Sequence, residues 1–287
     1  MIEHLLQQIF ESTIDSVSAV SGGDINNAYL VTLSNKEQYF VKHNSYADGD
    51  KMFATEAIGL RFLNSHSPFN IPTVIDCRSV EKHNFLLLDY IQTGASSEAD
   101  FRTFGQQLAT MHQATADHFG FDSDNYIGRL PQPNQWQSSW KNFYIQHRLQ
   151  YQIKLGVQNG HFTTDVFDKL DKLESIWDTL VPKEPPSLLH GDLWSGNYLS
   201  MQSGEISIID PATYFGHREV DLAMTRLFGG FPSSFYAGYE EVWPLEKEAE
   251  ERVKLYQLYP ILVHANLFGG HYIDQALQIL KSTDNYR

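Results

Sequence analysis

The segment LLHGDLWSGNYL (188–199) carries the residues whose types and spacing best suit a chemical step. An apolar run ends in HGD at Asp192, Asn197 follows five residues later, and a second apolar run delivers Asp210. One carboxylate can orient or deprotonate an acceptor hydroxyl, while an amide oxygen and a second carboxylate can hold Mg²⁺ against nucleotide phosphates. Taken alone, either segment, HGD with Asn197 or the run that ends at Asp210, could be a surface turn. Together they predict phosphoryl transfer, with Asp192 as the catalytic base and Asn197 and Asp210 as metal ligands.

A phosphotransferase also needs a cation for the phosphates of its nucleotide, and Lys42 is the candidate. It lies in an apolar strand pattern, where a lysine drawn into the interior needs a carboxylate partner. Glu56 shares a helical face with Phe53, Leu60 and Leu63, which is an unfavourable place for an unpaired carboxylate. A snorkelling lysine and a helix-edge glutamate would explain each residue in isolation. Beside the first set of residues, we expect Lys42 and Glu56 to pair.

Two further segments could contact a nucleotide. Gly22 and Gly23 precede a predicted strand and would let backbone N–H groups approach phosphate, although an ordinary turn would look the same. The apolar run FLLLDYI ends in Asp89, Tyr90 and Ile91, where the composition of the chain changes. Backbone groups of these three residues could therefore bind the edge of an adenine base, although the run could also be only a buried strand.

The elements that position these residues divide into a β-rich part and a helical part. Alternating patterns predict a hairpin over 28–33 and 37–43, followed by a helix over 51–64 and more strands. The small, polar stretch 92–97 marks a boundary, and apolar residues repeat at helical spacing over 101–111. We therefore predict an α+β fold with two lobes.

The predicted lobes have distinct tasks. Residues 1–91 form a small β-rich N-lobe that binds the nucleotide. Residues 92–287 form a larger, mainly helical C-lobe that carries the catalytic and substrate-binding groups.

The composition excludes several classes of function. The 287 residues are 42% hydrophobic, and 21 basic against 35 acidic side chains give a net charge of −14. This balance opposes binding to nucleic acid or to an anionic membrane, while it suits a cationic substrate. Cys77 is the one cysteine, so no intramolecular disulfide can form, and neither a signal peptide nor a membrane span is visible. We expect a cytoplasmic monomer.

The residues described above resemble those of a known family. The order of Lys42, Glu56, HGDLWSGN and Asp210 is similar to that of protein-kinase-like phosphotransferases that act on small molecules. It differs from protein kinases, because Pro211 follows Asp210 and no long activation segment separates it from GHREVDLAM. A closer resemblance is to the fructosamine kinases, also called ketosamine kinases. It rests on runs that span about residues 20–272: GGDINNAYLV, VKHN, EAIGLRFL, FGFDSDNYIGRLPQPNQW, LLHGDLWSGN, DPATYFGHREVDLAM and LYQLYPILVHANLFGGHY.

The resemblance implies a protein-kinase-like two-lobed fold and a kinase that uses ATP and Mg²⁺. Its substrate would be a small-molecule or protein-bound ketosamine, such as a ribulosamine, erythrulosamine or fructosamine. Phosphorylation at the sugar O3 hydroxyl would serve deglycation. Trp194 would then pack on the sugar, unless it is a core tryptophan. His217 and Glu219 follow Asp210 closely in the sequence, so they could line the acceptor pocket or only lock their loop.

Two other functions stay open from the sequence. A kinase of an aminoglycoside-like or choline-like amino alcohol would use the same catalytic residues. A pseudokinase that only binds nucleotide is a different class of protein. Degenerate kinases usually lack the lysine, the base or the metal-binding aspartate, whereas this chain has Lys42, Asp192 and Asp210.

Overall fold

The structure is a computed structural model that describes residues 2–20 and 25–282. The first part of the chain contains α1 (Ile2–Gln7), β1 (Ile14–Val20), β2 (Asn27–Leu33), β3 (Gln38–Asn44), α2 (Gly49–His66), β4 (Val74–Val80) and β5 (His83–Asp89). The remainder contains α3 (Glu98–His112), β6 (Asn125–Ile127), β7 (Leu130–Gln132), α4 (Trp140–Phe143), a π-helical segment (Tyr144–Gln150), α5 (Tyr151–Gln158), α6 (Val166–Leu180), β8 (Ser187–Leu189), β9 (Tyr198–Ser200), β10 (Ile206–Ile208), β11 (Tyr214–Gly216), α7 (Glu219–Met224), α8 (Ser233–Val242), α9 (Ala249–Phe268) and α10 (His271–Ser282).

The first part forms one antiparallel sheet of five strands in the order β1-β2-β3-β5-β4. The predicted hairpin and the predicted helix are confirmed as β2–β3 and α2. Leu5 and Leu6 of α1 cover one face of the sheet. Leu88 and four buried residues of α2 belong to a core that continues into the helical part; the four are Phe53, Ala57, Leu60 and Leu63. The central strand β3 places Lys42 between Ala28 and Leu86, so its backbone is fixed from both sides.

The segment that follows β5 is joined to the helical part by hydrogen bonds. The N–H of Gly94 donates to the carbonyl of Ser200 at 2.8 Å, and the N–H of Gln202 donates to that of Gln92 at 3.0 Å. Ser97 then begins α3 with a capping box, in which its side chain and that of Asp100 each accept from the other residue's backbone. The exact lobe boundary stays a prediction, but the chain there is paired with β9 rather than free.

A buried arginine organises the region between α3 and α6. Arg148 lies in the π-helical segment, with its guanidinium 4.0 Å from the centre of the Tyr214 ring. It donates to the carbonyl of Pro133 at 2.6 Å and to Oδ1 of Asn134 at 2.7 Å. These bonds anchor the hairpin β6–β7, whose residues Asn125–Gly128 reach the cleft described below.

The helices α3 and α8 pack at unusually close range, because each presents a glycine to the other. A β-carbon at Gly105 would collide with the carbonyl oxygen of Phe235, and one at Gly238 would collide with that of Arg102. None of the helices in the described part of the chain has the length and apolar character needed to cross a membrane.

We predict that Gly105→Ala destabilises the protein by about 1–3 kcal/mol, since the helices must separate to admit the methyl group. This loss should outweigh the better helix propensity of alanine. Urea unfolding would measure it, with exposed Thr110→Ala on the same helix as the control. Equal stability of both variants and the wild type would show that the two helices can adjust freely.

Candidate active site

A cleft of about 580 Å³ lies between the sheet and the helical part. Its walls bring together residues that are far apart in the chain. The sequence-predicted residues that line it are Lys42, Glu56, Asp89, Tyr90, Ile91, Asp192, Trp194, Asn197 and Asp210. Gly22 and Gly23 lie outside the described residues.

Lys42 is buried between two carboxylates that come from different parts of the chain. Its Nζ lies 2.7 Å from Oε1 of Glu56 on α2 and 3.0 Å from Oδ1 of Asp210 after β10. Burial alone would lower the pKa of the Lys42 ammonium, but the two carboxylates outweigh it and raise that pKa above its usual value. Burial also raises the pKa of the Glu56 carboxyl, against the attraction of Lys42. The lysine is therefore a fixed positive charge that faces the cleft.

Asp192 has the environment of a general base. Burial, helped by the like charge of Asp210, raises the pKa of its carboxyl to about 7, and a hydrogen bond from Asn197 opposes that rise. The amide nitrogen of Asn197 donates to Oδ2 of Asp192 at 3.1 Å and to its carbonyl at 2.8 Å. A carboxyl group with a pKa near neutrality is suited to accepting a proton from a hydroxyl group.

The loop that carries Asp192 is held by two buried side chains. Asp221 at the start of α7 accepts from the backbone N–H of His190 at 2.8 Å and of Gly191 at 2.9 Å. His190 accepts the N–H of Asp192 on Nδ1, which leaves Nε2–H to donate to the carbonyl of Ile209 at 2.8 Å. Burial lowers the pKa of His190, consistent with this neutral form. The sequence signal for Asp221 was a lone carboxylate within the apolar run VDLAM.

Asp210 and Asn197 provide the oxygen atoms that Mg²⁺ prefers. Asp210 adopts the left-handed backbone conformation, with φ of 54°, which is strained for a residue other than glycine and is typical of functional sites. Its side chain is 39% exposed, toward the cleft. Since the amide nitrogen of Asn197 is bound to Asp192, its oxygen is the atom left for a cation. The described residues contain no group of three or more His, Cys, Asp or Glu side chains that could hold a metal ion.

Apolar side chains line the cleft beside the residues at which β5 ends. Asp89, Tyr90 and Ile91 line it where β5 ends, and Leu88 and Leu199 line it as well. The Asp89 side chain accepts the N–H of Thr73 at 2.5 Å, which fixes the end of β5 against the start of β4. The backbone groups of Tyr90 and Ile91, which follow, can therefore contact a nucleotide base from a fixed position.

The structure brings Trp194 to the cleft but not His217 or Glu219. His217 is fully buried, with its ring stacked on Tyr256 at 5.4 Å between centres. Glu219 is paired with Arg252 of α9 at 2.6 Å. The expectation that these two residues line an acceptor pocket is thus not met, because β11 carries the chain away from the cleft after Asp210. They lock the loop, which was the alternative interpretation.

Comparisons with known proteins identify the relatives of this chain. The family model for fructosamine kinase matches residues 1–285. A probable ketoamine kinase of Synechocystis sp. is 42% identical over 96% of this chain and 95% of its own. A chloroplastic protein-ribulosamine 3-kinase of Oryza sativa subsp. japonica is 36% identical over 93% of this chain and 78% of its own. The crystal structure of a candidate fructosamine-3-kinase from Haemophilus somnus 129PT superposes with a TM-score of 0.86 at 30% identity, covering 98% of this chain and 96% of that one.

We predict that Asp221→Asn destabilises the protein by about 2–3 kcal/mol. The amide has one acceptor oxygen, so its NH₂ group would face one of the two backbone donors and leave a buried N–H group unpaired. Chemical unfolding would measure the loss, with Asp178→Asn on the exposed face of α6 as the matched control, expected to change stability by less than about 0.5 kcal/mol. Wild-type stability for Asp221→Asn would mean that other contacts hold the loop.

Proposed function

Because the chain belongs to the fructosamine kinase family, we propose that it transfers the γ-phosphoryl group of ATP to the O3 hydroxyl of ketosamines. The observation that carries this proposal is the set of five polar residues in one cleft. Lys42, Glu56 and Asp210 form a charged cluster, and Asp192 with Asn197 lies beside it. This set supplies a cation for phosphate, ligands for Mg²⁺ and a base for the acceptor.

In the mechanism that we propose, the chain positions two reactants and stabilises charge. Asp192 accepts or orients the proton of the attacking hydroxyl. Lys42, held by Glu56, binds the nucleotide phosphates once they displace it from Asp210. Mg²⁺, held by Asn197 and Asp210, would offset the phosphate charge. The transition state of phosphoryl transfer is loose, so alignment and electrostatics supply most of the rate.

The names of the relatives support a ketosamine as the acceptor. One is a probable ketoamine kinase and another a protein-ribulosamine 3-kinase. A ketosamine carries a protonated amine, and a chain of net charge −14 attracts such a cation. A phosphate at O3 would destabilise the adduct, and its decomposition would free the amine. We therefore propose a role in deglycation, with Mg-ATP as the phosphate donor.

We predict that Asp192→Asn lowers kcat on a ketosamine by about 10²–10⁴-fold, because the amide cannot accept the proton. ATP binding should persist, since Lys42 and Asp210 remain. A coupled ADP-release assay would measure turnover on ribulose-, erythrulose- and fructose-lysine, choline and an aminoglycoside. Asp171→Asn, on the exposed face of α6, is the matched control.

Three outcomes of this assay are distinct. Turnover on a ketosamine that is lost in Asp192→Asn supports the proposal and ranks the sugars. Turnover on choline or the aminoglycoside alone would keep the mechanism but overturn the substrate. Equal turnover by Asp192→Asn and the wild type would overturn the role of Asp192.

We predict that Asp210→Asn raises the half-saturating Mg²⁺ concentration by at least about tenfold, because a carboxylate ligand becomes a neutral amide. Titration of Mg²⁺ at fixed ATP would measure it. Glu56→Gln is the control, since it loosens Lys42 and should raise the KM for ATP without a comparable change in the Mg²⁺ requirement. An unchanged requirement in Asp210→Asn would exclude this residue as a metal ligand.

A further inference from the structure

Four aromatic side chains from three segments of the chain contact one another in a continuous series at the cleft. We call Trp194, Phe228, His264 and Phe268 the aromatic wall. Ring centres are 5.9 Å apart for Trp194 and Phe228, 4.8 Å for Phe228 and His264, and 5.6 Å for His264 and Phe268. Trp194, His264 and Phe268 line the cleft, whereas Phe228 packs behind them.

Phe228 joins the aromatic wall to the loop that carries Asp192. Its carbonyl accepts the hydroxyl of Ser195 at 2.9 Å, so its backbone is bonded to the residue after Trp194. It also adopts the left-handed conformation, with φ of 52°, which is unfavourable for a bulky side chain and is retained only where surrounding contacts impose it. The Phe228 ring contacts both the Trp194 ring and the His264 ring.

Phe268 is only partly covered by the fold, where its ring contacts those of His264 and Tyr272. It is 54% exposed, although it is a large apolar side chain on the wall of a cleft. It is also the last residue of α9, where the carbonyl groups of a helix carry the negative end of its dipole. An aromatic face and a helix C-terminus both attract a cation.

The carboxylates of the cleft are already committed to other partners. The four among the described lining residues are Glu56, Asp89, Asp192 and Asp210. Glu56 and Asp210 contact Lys42, and Asp89 accepts the N–H of Thr73. Asp192 must meet the attacking hydroxyl. A cation on the acceptor therefore finds no spare carboxylate among these residues, whereas the aromatic wall begins two residues after Asp192.

We propose that the aromatic wall binds the ammonium group of the acceptor through the faces of Trp194 and Phe268, with Phe228 as a positioning residue. This inference rests on the proposed ketosamine kinase activity and adds the feature of the substrate that the site selects. In a ketosamine the amine is on C1 and the accepting hydroxyl is on C3. A hydroxyl at Asp192 therefore places the ammonium close to Trp194.

The test compares two acceptors that differ in one atom. The first is the ketosamine of butylamine, with the sugar chosen from the substrate panel. The second is the matching 1-O-butyl ketose ether, in which a neutral oxygen replaces the charged nitrogen. We expect Phe268→Leu and Trp194→Leu to raise the KM for the amine about 3- to 30-fold, with a much smaller change for the ether. Since neither residue is among those assigned to the nucleotide or to Mg²⁺, the effect should appear in KM rather than in kcat.

Further variants separate charge recognition from shape. Phe268→Tyr keeps the aromatic face and should keep the wild-type preference for the amine. Phe228→Leu should reduce that preference, although the residue does not line the cleft. Phe228→Tyr keeps an aromatic ring at this position and should retain the preference. Trp136→Leu, an exposed tryptophan that does not line the cleft, is the control and should leave both KM values unchanged.

The outcomes distinguish this inference from the activity on which it depends. If the wild type phosphorylates both acceptors with equal KM, or if Phe268→Leu and Trp194→Leu impair both acceptors equally, the aromatic wall does not read the charge. The inference would then be wrong while the kinase activity stands. Absence of turnover on any ketosamine by the wild type would instead overturn the proposed activity, and this inference with it.

Discussion

The contact of Lys42 with two carboxylates is the interaction on which the cleft depends. One carboxylate comes from α2, beside the sheet, and the other from the strained turn after β10. A lysine that is almost fully buried is costly unless its charge is compensated, and two negative partners do so while leaving one of them exposed toward the cleft. The same cluster thus fixes the position of α2, keeps the ammonium charged, and holds the two sides of the cleft together.

Buried side chains that do not react hold the loop that carries the proposed base. The loop that bears Asp192 has no regular secondary structure, and its backbone donors would be unsatisfied in the interior without Asp221 and His190. Their contacts bind the loop to α7 and to the end of β10. The base is therefore placed by buried hydrogen bonds rather than by its own strand, which lets it face the cleft in a fixed orientation.

The sequence was sufficient to predict a contact where a single residue stood in an environment that does not suit its charge. A carboxylate on the apolar face of α2 and a lysine in an apolar strand predicted each other, because neither environment tolerates an unpaired charge. Proximity to Asp210 was a poor guide for His217 and Glu219, since β11 pairs with β8 and directs the chain away from the cleft toward Arg252. The role of Asp221 and the existence of the aromatic wall depend on contacts between segments that are distant in the chain. The hydrophobic periodicity of a sequence does not encode such contacts.

The π-helical segment gives this fold a distinctive vulnerability to changes in length. The hydrogen bonds of a π-helix run from residue i to residue i+5, so each turn holds nearly one more residue than a turn of an α-helix. A further residue inserted before Arg148 would have to be wound into the same helix, and one helical residue rotates the side chains that follow by about 100°. The guanidinium would then leave Pro133 and Asn134, and the β6–β7 hairpin would lose its anchor.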